Sequence, residues 1–305
     1  MKRLDALRSD LKFSSPALEV RVDEPMAKHT SFRIGGPARL MALPKSETQA
    51  VEAIEAAARY GIRPIFIGNG SNLLVSDAGV DAFIIKIGDA MNRMEVQEGG
   101  VLRFGAGTLL SRAARFALEN GLSGMEFAHG IPGCVGGAVT MNAGAYGGEM
   151  SGIVEKVGCV RLDGRLDVFS RDELDFGYRK SRFQNGDCLI LSTVVRLTPG
   201  EPVQIKARME ELMERRRSKQ PLEYPSAGST FKRPENGFAA ALIEECGLKG
   251  YRVGAAQVST KHSGFVVTLG GATCEEVLRV ISHVYETVLA QTGIRLEPEV
   301  KLLGV

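Results

Sequence analysis

The hydrophobic positions of the chain recur with a helical period in several segments, and polar start and stop signals bound them. The clearest segment opens with a capping box at residues 273–276 (Thr-Cys-Glu-Glu) and ends at Gly293. Its apolar residues share one face: Val277, Val280, Ile281, Val284 and Val288. A second capping box, at residues 46–49, begins a helix that ends at Gly61.

Two further helices are predicted, one starting after Thr108 and ending at Gly121, and one with a single apolar stripe at Ile205, Met209, Leu212 and Met213. Short apolar runs between the helices predict strands. These runs are residues 64–67, 83–87, 101–104, 154–162, 189–197, 265–269 and 300–303. Helices and strands do not alternate strictly, so the pattern indicates an α+β fold and not a doubly wound sheet or a barrel.

The length of 305 residues predicts about two domains at about 150 residues each. One boundary is expected near residues 90–100, where two glycines divide strand-rich regions. The other is expected in the Arg- and Pro-rich stretch 215–225, before a C-terminal unit.

Charge and cysteine content exclude several classes of function. The 38 Lys and Arg residues nearly balance 36 Asp and Glu residues, which argues against a nucleic-acid partner. Five widely spaced cysteines form no C-x-x-C, and the four histidines lack metal-ligand spacing, so no metal is assigned.

The first 13 residues lack the apolar core of a secretion signal, and no apolar run reaches the about 18 residues of a membrane helix. We therefore expect a cytoplasmic protein without membrane insertion.

Glycine is over-represented, with 36 residues against a typical usage of about 7%. A first cluster at residues 68–72 (Gly-Asn-Gly-Ser-Asn) follows a predicted strand. Its backbone N–H groups could converge on a phosphate or diphosphate, and a tight turn between two strands is the alternative. It is not the dinucleotide fingerprint, because Leu73 stands where the third glycine belongs.

A second cluster carries seven glycines in the 20 positions from 129 to 148. Apolar residues are threaded through it, which does not fit a long flexible loop. Because glycine permits close approach of the backbone to another group, this segment predicts a ligand-lining role.

These clusters, together with five further motifs, resemble the UDP-N-acetylenolpyruvoylglucosamine reductases, flavoenzymes of bacterial peptidoglycan precursor synthesis. The motifs cover nearly the whole chain and lie at residues 28–38, 68–75, 130–148, 178–181, 225–234, 258–265 and 296–300. Each motif alone is weak, whereas the set in this order is specific.

The resemblance implies a two-lobed, non-Rossmann FAD-binding domain of the vanillyl-alcohol-oxidase (PCMH) type, with lobes at residues 1–90 and 91–200. It further implies a C-terminal α+β substrate-binding domain, residues 201–305, whose tail returns to the active site. Only 50 residues separate Arg179 from Ser229, which resembles the shorter subtype that lacks an inserted substrate loop. Thr268 stands where the family pattern leads us to expect Asn.

The implied activity is the reduction of UDP-N-acetylglucosamine enolpyruvate to UDP-N-acetylmuramate, with NADPH as hydride donor and non-covalently bound FAD. Such an oxidoreductase serves cell-wall synthesis, and with it cell shape and division. A hydride delivered to C3 of the enolpyruvyl group leaves negative charge at C2, which must be stabilised and then protonated.

The resemblance assigns three catalytic residues. Arg179 would stabilise the charge, since a guanidinium can grip a carboxylate with two parallel hydrogen bonds. Ser229 would donate the proton, with help from a positive field or a relay. Glu299 would be a second stabiliser of the intermediate, either protonated or acting through Arg179 or water.

The resemblance also assigns binding residues. FAD contacts are expected from Gly68, Asn69, Gly70, Ser71, Asn72, Gly130, Gly133, Gly136, Asn142 and Gly144. Substrate contacts are expected from Tyr178, Lys232 and Lys261.

Residue types alone leave other interpretations open. Arg179 could form a surface ion pair, Ser229 could be a turn residue, and Glu299 could be a solvated carboxylate. Tyr178 could simply pack, and Lys261 could lie in a solvated loop. At the level of the whole protein, a flavin-dependent oxidase of the same superfamily and a non-catalytic nucleotide-binding protein are the alternatives.

Overall fold

The structure, a computed structural model, describes residues 2–305, so that Met1 lies outside the described part of the chain. The helices are α1 (Lys2–Ser14), α2 (Glu47–Arg59), α3 (Leu110–Glu119), α4 (Val135–Thr140), α5 (Pro202–Lys219), α6 (Ala239–Glu245) and α7 (Cys274–Thr292). The strands are β1 (Glu19–Pro25), β2 (Pro37–Leu43), β3 (Ile65–Ile67), β4 (Leu73–Val75), β5 (Val80–Lys86), β6 (Met94–Gln97), β7 (Val101–Gly105), β8 (Leu122–Ser123), β9 (Gly144–Ala145), β10 (Gly148–Glu149), β11 (Val154–Arg161), β12 (Leu166–Ser170), β13 (Cys188–Arg196), β14 (Thr198–Pro199), β15 (Ser226–Ser229), β16 (Arg252–Val253), β17 (Ala256–Val258), β18 (Phe265–Thr268) and β19 (Lys301–Leu303).

The predicted amphipathic helices are present as α2, α3, α5 and α7. The capping box of α7 is formed: the Thr273 hydroxyl accepts from the Glu276 amide, and Gly293 ends the helix with a φ of +72°. In α2, Ser46 caps as predicted, but the Gln49 side chain accepts from the amide of Lys45 and not from that of Ser46.

The helix predicted after Thr108 is present, without a side-chain cap at its start. Helix α3 begins at Leu110, its N-cap is Leu109, and no side chain caps it. The hydroxyl of Thr108 donates to the Arg93 carbonyl at 3.4 Å, so its oxygen is directed away from the helix.

All seven predicted strand runs are strands in the structure (β3, β5, β7, β11, β13, β18 and β19), with ends displaced by up to three residues. The largest sheet has the order β12-β11-β13-β7-β6, and its described pairings are antiparallel. A second sheet has the order β1-β2-β5-β3, in which β3 and β5 are parallel. A third has the antiparallel order β15-β18-β17-β16, and β19 runs parallel to β4.

The chain folds into two compact units. Unit 1 contains residues 2–22, 40–69 and 82–215, and unit 2 contains residues 23–39, 70–81 and 216–305. The last of the three segments of unit 2 begins at Arg216. The finer division into lobes at residues 90 and 200 stays a prediction.

Each unit has its own hydrophobic core. The core of unit 1 includes Ile54, Phe83 and Phe104, all fully buried, and that of unit 2 includes Phe32, Val277 and Val284. Every inward position predicted for α7 is buried, which fixes this helix in the core of unit 2. Across residues 2–305, helices that combine the length and the apolar character needed to cross a bilayer are absent.

Candidate active site

The second glycine cluster forms α4 and the hairpin β9–β10 of unit 1. At Gly136 a Cβ atom would lie 2.9 Å from the Cβ of Ala106, whose carbonyl accepts from the Gly136 amide. At Gly144 a Cβ would lie 2.7 Å from the carbonyl of Gly148 across the hairpin. Glycine is therefore required at both positions, because the backbone segments approach too closely for a side chain.

Asn142 lies between these elements and ties them to a neighbouring turn. It is 1% exposed and has a φ of +42°, a conformation that asparagine tolerates better than most residues. Its side-chain Nδ2 donates to the carbonyl of Gly177 at 3.0 Å, and its Oδ1 accepts from the amide of Ser151 at 2.9 Å. Both polar atoms of this side chain thus form hydrogen bonds with the main chain. A contact of Asn142 with FAD stays a prediction.

The turn held by Asn142 carries Arg179. Gly177 and Lys180 exchange two backbone hydrogen bonds of 3.1 Å, which places Tyr178 and Arg179 at the tip of a tight turn. Arg179 has a φ of +53°, and its Nη2 donates to the carbonyl of Gly144 at 3.2 Å. Arg179 is half-buried, and its guanidinium lies beside the glycine cluster. Its role toward substrate stays a prediction.

Tyr178 is 53% exposed, and its ring centroid lies 5.1 Å from the Cζ atom of Arg179. This distance is within the range of a cation–π contact. The structure thus places Tyr178 on the same turn as Arg179, with most of its ring accessible.

The first glycine cluster connects β3 to β4. A Cβ at Gly68 would lie 2.5 Å from the Sγ of Cys134, so this end of the loop lies against the start of α4. A Cβ at Gly70, whose φ is +61°, would lie 1.9 Å from the carbonyl oxygen of His29. The loop is a strand-to-strand connection, as one interpretation expected. Gly70 is required by close backbone approach, and Gly68 by the side chain of Cys134.

Ser229 and Glu299 lie close together in unit 2. Ser229 ends β15, opposite Phe265 of β18, and its exposed hydroxyl makes no hydrogen bond within residues 2–305. The amide of Glu299 donates to the carbonyl of Thr230 at 2.8 Å, and Pro298 pairs with Phe231. The C-terminal segment therefore runs antiparallel to the chain that follows Ser229.

The same segment also contacts the first glycine loop. The side-chain Nδ2 of Asn72 donates to the carbonyl of Glu299 at 3.1 Å, and the amide of Lys301 donates to the carbonyl of Asn72 at 2.9 Å. Three sequence motifs that are more than 60 residues apart thus meet around Glu299.

The two lysines proposed to bind substrate both have partners within the chain. The ammonium of Lys232 pairs with Glu297. That of Lys261 donates to the carbonyl of Arg217 at 2.7 Å and lies 3.7 Å from Glu223. A substrate phosphate would have to compete with these contacts, and the assignments stay predictions.

Sequence reasoning missed Gln184, whose Nε2 donates to the carbonyl of Arg179. No sequence signal marks it, because its partner is a main-chain atom five residues away and not a complementary side chain.

Comparisons with known proteins cover nearly the whole chain. A family model described as the C-terminal domain of UDP-N-acetylenolpyruvoylglucosamine reductase matches residues 220–303, and one described as an FAD binding domain matches residues 38–169. A protein named UDP-N-acetylenolpyruvoylglucosamine reductase from Agathobacter rectalis is 49% identical over 300 residues, 95% of either chain. One of the same name from Clostridium perfringens is 44% identical over 286 residues, 94% of this chain and 93% of the other. This chain belongs to the UDP-N-acetylenolpyruvoylglucosamine reductase family.

A crystal structure of a UDP-N-acetylenolpyruvylglucosamine reductase from Thermus caldophilus has the same fold. It is 35% identical, with a TM-score of 0.80, and the match covers 94% of this chain and 98% of the other. The predicted family, the α+β fold with an FAD-binding domain and a C-terminal domain, and FAD as the cofactor of an oxidoreductase are confirmed.

The residues of the reductase fit a flavin dinucleotide. Neither glycine segment, 68–75 or 129–148, contains an acidic residue, so no carboxylate of these segments would repel a diphosphate. Loop 68–72 has the glycine-rich backbone typical of phosphate-binding loops, and Gly68 lies against Cys134 of the second cluster. The assignment of FAD contacts to these two segments stays a prediction.

Proposed function

We propose that this reductase converts UDP-N-acetylglucosamine enolpyruvate to UDP-N-acetylmuramate in peptidoglycan precursor synthesis, with NADPH as the hydride donor, in the cytoplasm. The observation that carries the proposal is the juxtaposition in unit 2 of an exposed Ser229 hydroxyl with the Glu299 segment. Family membership supplies the reaction class. The division into FAD lobes 1–90 and 91–200 and a substrate domain 201–305 belongs to the same proposal.

FAD, when bound, would supply the hydride chemistry of the reduction. The protein must then stabilise the negative charge that develops at C2 and in the adjacent carboxylate, and deliver one proton to C2. These are electrostatic and proton-transfer tasks for its side chains.

Arg179 is suited to the first task. Its guanidinium is permanently charged, and its turn is fixed to the glycine segment by Asn142 and by its own bond to Gly144. A fixed cation costs little reorganisation when charge develops on the substrate, which is the basis of electrostatic stabilisation.

Ser229 is suited to the second task. Its hydroxyl is exposed and makes no hydrogen bond with the described chain, so its proton can be directed to a substrate. Gly228 before it has a φ of +77°, and a Cβ there would meet no atom within 4 Å. Lys232 adds positive charge three residues away, although it is paired with Glu297.

The main chain of Glu299 is held at both ends: its amide donates to the carbonyl of Thr230, and its carbonyl accepts from the side chain of Asn72. A bare carboxylate would repel the developing negative charge, so we propose that Glu299 acts in its protonated form or through water.

Anaerobic stopped-flow tests the proposed function. NADPH should bleach the absorbance of the bound flavin, and the enolpyruvyl sugar nucleotide, added without oxygen, should restore it. Reoxidation by oxygen but not by the sugar nucleotide would indicate an oxidase. A protein that stays colourless when flavin is supplied would indicate a non-catalytic binding protein.

A further inference from the structure

The main-chain carbonyl of Arg179 has a side-chain partner that the proposed mechanism does not use. The side-chain Nε2 of Gln184 donates to this carbonyl and also lies 3.7 Å from the Sδ of Met141. Gln184 is half-buried in unit 1. It therefore holds the backbone of the catalytic candidate without contacting its guanidinium in any described bond.

Gln184 itself is on a rigid support, the short 3₁₀ helix Arg182–Asn185. Ser181 caps this helix, and its hydroxyl donates to the carbonyl of Thr140 at 2.8 Å. Phe183 is 4% exposed and packs edge-on against Phe169, with ring centroids 6.0 Å apart. The position of Gln184 is thus fixed by the core and by the end of α4.

The conformation of Arg179 makes such a support necessary. A φ of +53° is unfavourable for a residue with a Cβ, and it persists only where the surroundings fix it. Asn142 holds the carbonyl of Gly177 on one side of the turn tip, and Gln184 holds that of Arg179 on the other. Loss of either hydrogen bond would allow the backbone of Arg179 to relax toward negative φ, and this change would move the guanidinium.

We propose that Gln184 is a positioning residue for Arg179 in the reduction of the enolpyruvyl substrate, an inference that rests on the proposed function. It acts by fixing the left-handed backbone at Arg179, and not by touching substrate or flavin. Its loss should therefore slow the half-reaction that uses Arg179, the oxidation of reduced flavin by substrate, and spare the reduction of flavin by NADPH.

The test uses the flavin-loaded full chain and two variants of Gln184. Gln184→Met keeps the length of the side chain and removes the donor. We expect single-turnover oxidation by substrate to slow about 10–100-fold, as small misplacements of catalytic groups do, with flavin reduction and flavin content unchanged. Asn185→Leu, an exposed amide on the same short helix, is the matched control and should match the wild type.

The variant Gln184→Glu is tested by the pH dependence of the oxidation of reduced flavin by substrate. A merely structural role of Gln184 would not produce this dependence. The ionised carboxylate repels the Arg179 carbonyl, whereas the protonated acid can donate to it. The rate of single-turnover oxidation by substrate in this variant, divided by the wild-type rate at the same pH, should rise as the pH falls. The same ratio for Gln184→Met should stay flat.

A double-mutant cycle separates positioning from general damage. If Gln184 acts through Arg179, Gln184→Met should cause no further loss in an Arg179→Ala background. The inference would be overturned if Gln184→Met oxidised its reduced flavin with substrate at the wild-type rate. It would also be overturned if Gln184→Met lowered this rate by the same factor in the wild-type and Arg179→Ala backgrounds. If the wild-type flavin is not reoxidised by the sugar nucleotide, the proposed function itself fails, which is a different result.

Discussion

The amide of Glu299 donates to the carbonyl of Thr230 at 2.8 Å, which joins the C-terminal segment to the residue that follows Ser229. The carbonyl of Glu299 in turn accepts from Asn72. A proton-donor candidate, a carboxyl group and the first glycine loop thus share one main-chain network. Substitutions of the side chains on this network and on the Arg179 turn test whether these groups perform the proposed chemistry.

Replacement of Ser229 by Ala should block proton delivery. We expect NADPH to reduce the flavin at a normal rate and the oxidation by substrate to slow about 10²–10⁴-fold, the range for loss of a proton-transfer group. Stopped-flow of the two half-reactions measures both. Ser226→Ala, a serine on the same strand whose hydroxyl lies 3.5 Å from the Gly228 amide, is the control. A loss below about tenfold for Ser229→Ala would count against the role.

Replacement of Arg179 by Lys should be damaging although the charge is kept, because an ammonium cannot form two parallel hydrogen bonds with a carboxylate. We expect the oxidation by substrate to slow about 10²-fold, as for the loss of one electrostatic stabiliser. Lys180→Ala, at the exposed end of the same turn, is the control. Near-normal turnover of Arg179→Lys would remove Arg179 from the mechanism.

If Glu299 works as a neutral group, an amide should replace it better than a methyl group does. We expect Glu299→Gln to retain clearly more substrate-dependent turnover than Glu299→Ala, which should lose about 10²-fold or more. Steady-state kcat of both variants, at matched flavin content, measures the difference. Equal activities for the two variants would mean that the donor ability of this side chain has no role.

The capping box of α7 should contribute to the stability of unit 2. Thr273→Ala removes the hydroxyl that accepts from Glu276, and we expect the free energy of unfolding to fall by about 1 kcal/mol. Urea denaturation of the flavin-free protein measures the change. Ser282→Ala, an exposed position within the same helix, should have a much smaller effect, and equal effects would argue against the cap.

Stability should fall on the acid side of neutrality because of His262. Burial lowers the pKa of His262, and the positive charges of Lys249 and Lys219 lower it further, while Glu244 opposes them. The unfolded chain, in which histidine titrates near pH 6.5, then binds more protons than the folded chain. The free energy of unfolding should be highest above about pH 6.5 and fall as the pH drops toward the folded pKa.

The variant His262→Gln should flatten this acid-side slope, whatever its effect on absolute stability. Urea denaturation at several pH values between about 5 and 8 measures the slope. An unchanged slope would show that other groups cause the pH dependence.

The sequence by itself determined the regular elements and the family. The period of the apolar residues and the capping signals located α2, α5 and α7 because these features are local, and ordered motifs identified the flavin-binding reductase. The sequence pattern marks Gly136 as ligand-lining, and Gly70 as part of a phosphate-binding loop or a tight turn. The structure adds that a Cβ there would clash with Ala106 and with the His29 carbonyl.

Only the tertiary structure decided which atoms meet. The bonds of Asn142 to Gly177, of Gln184 to Arg179 and of Glu299 to Thr230 all use main-chain atoms of at least one partner. Every residue type carries such atoms, so no side-chain pattern reveals these pairs. Their geometry follows from strand register and from the packing of each core, which are properties of the whole fold.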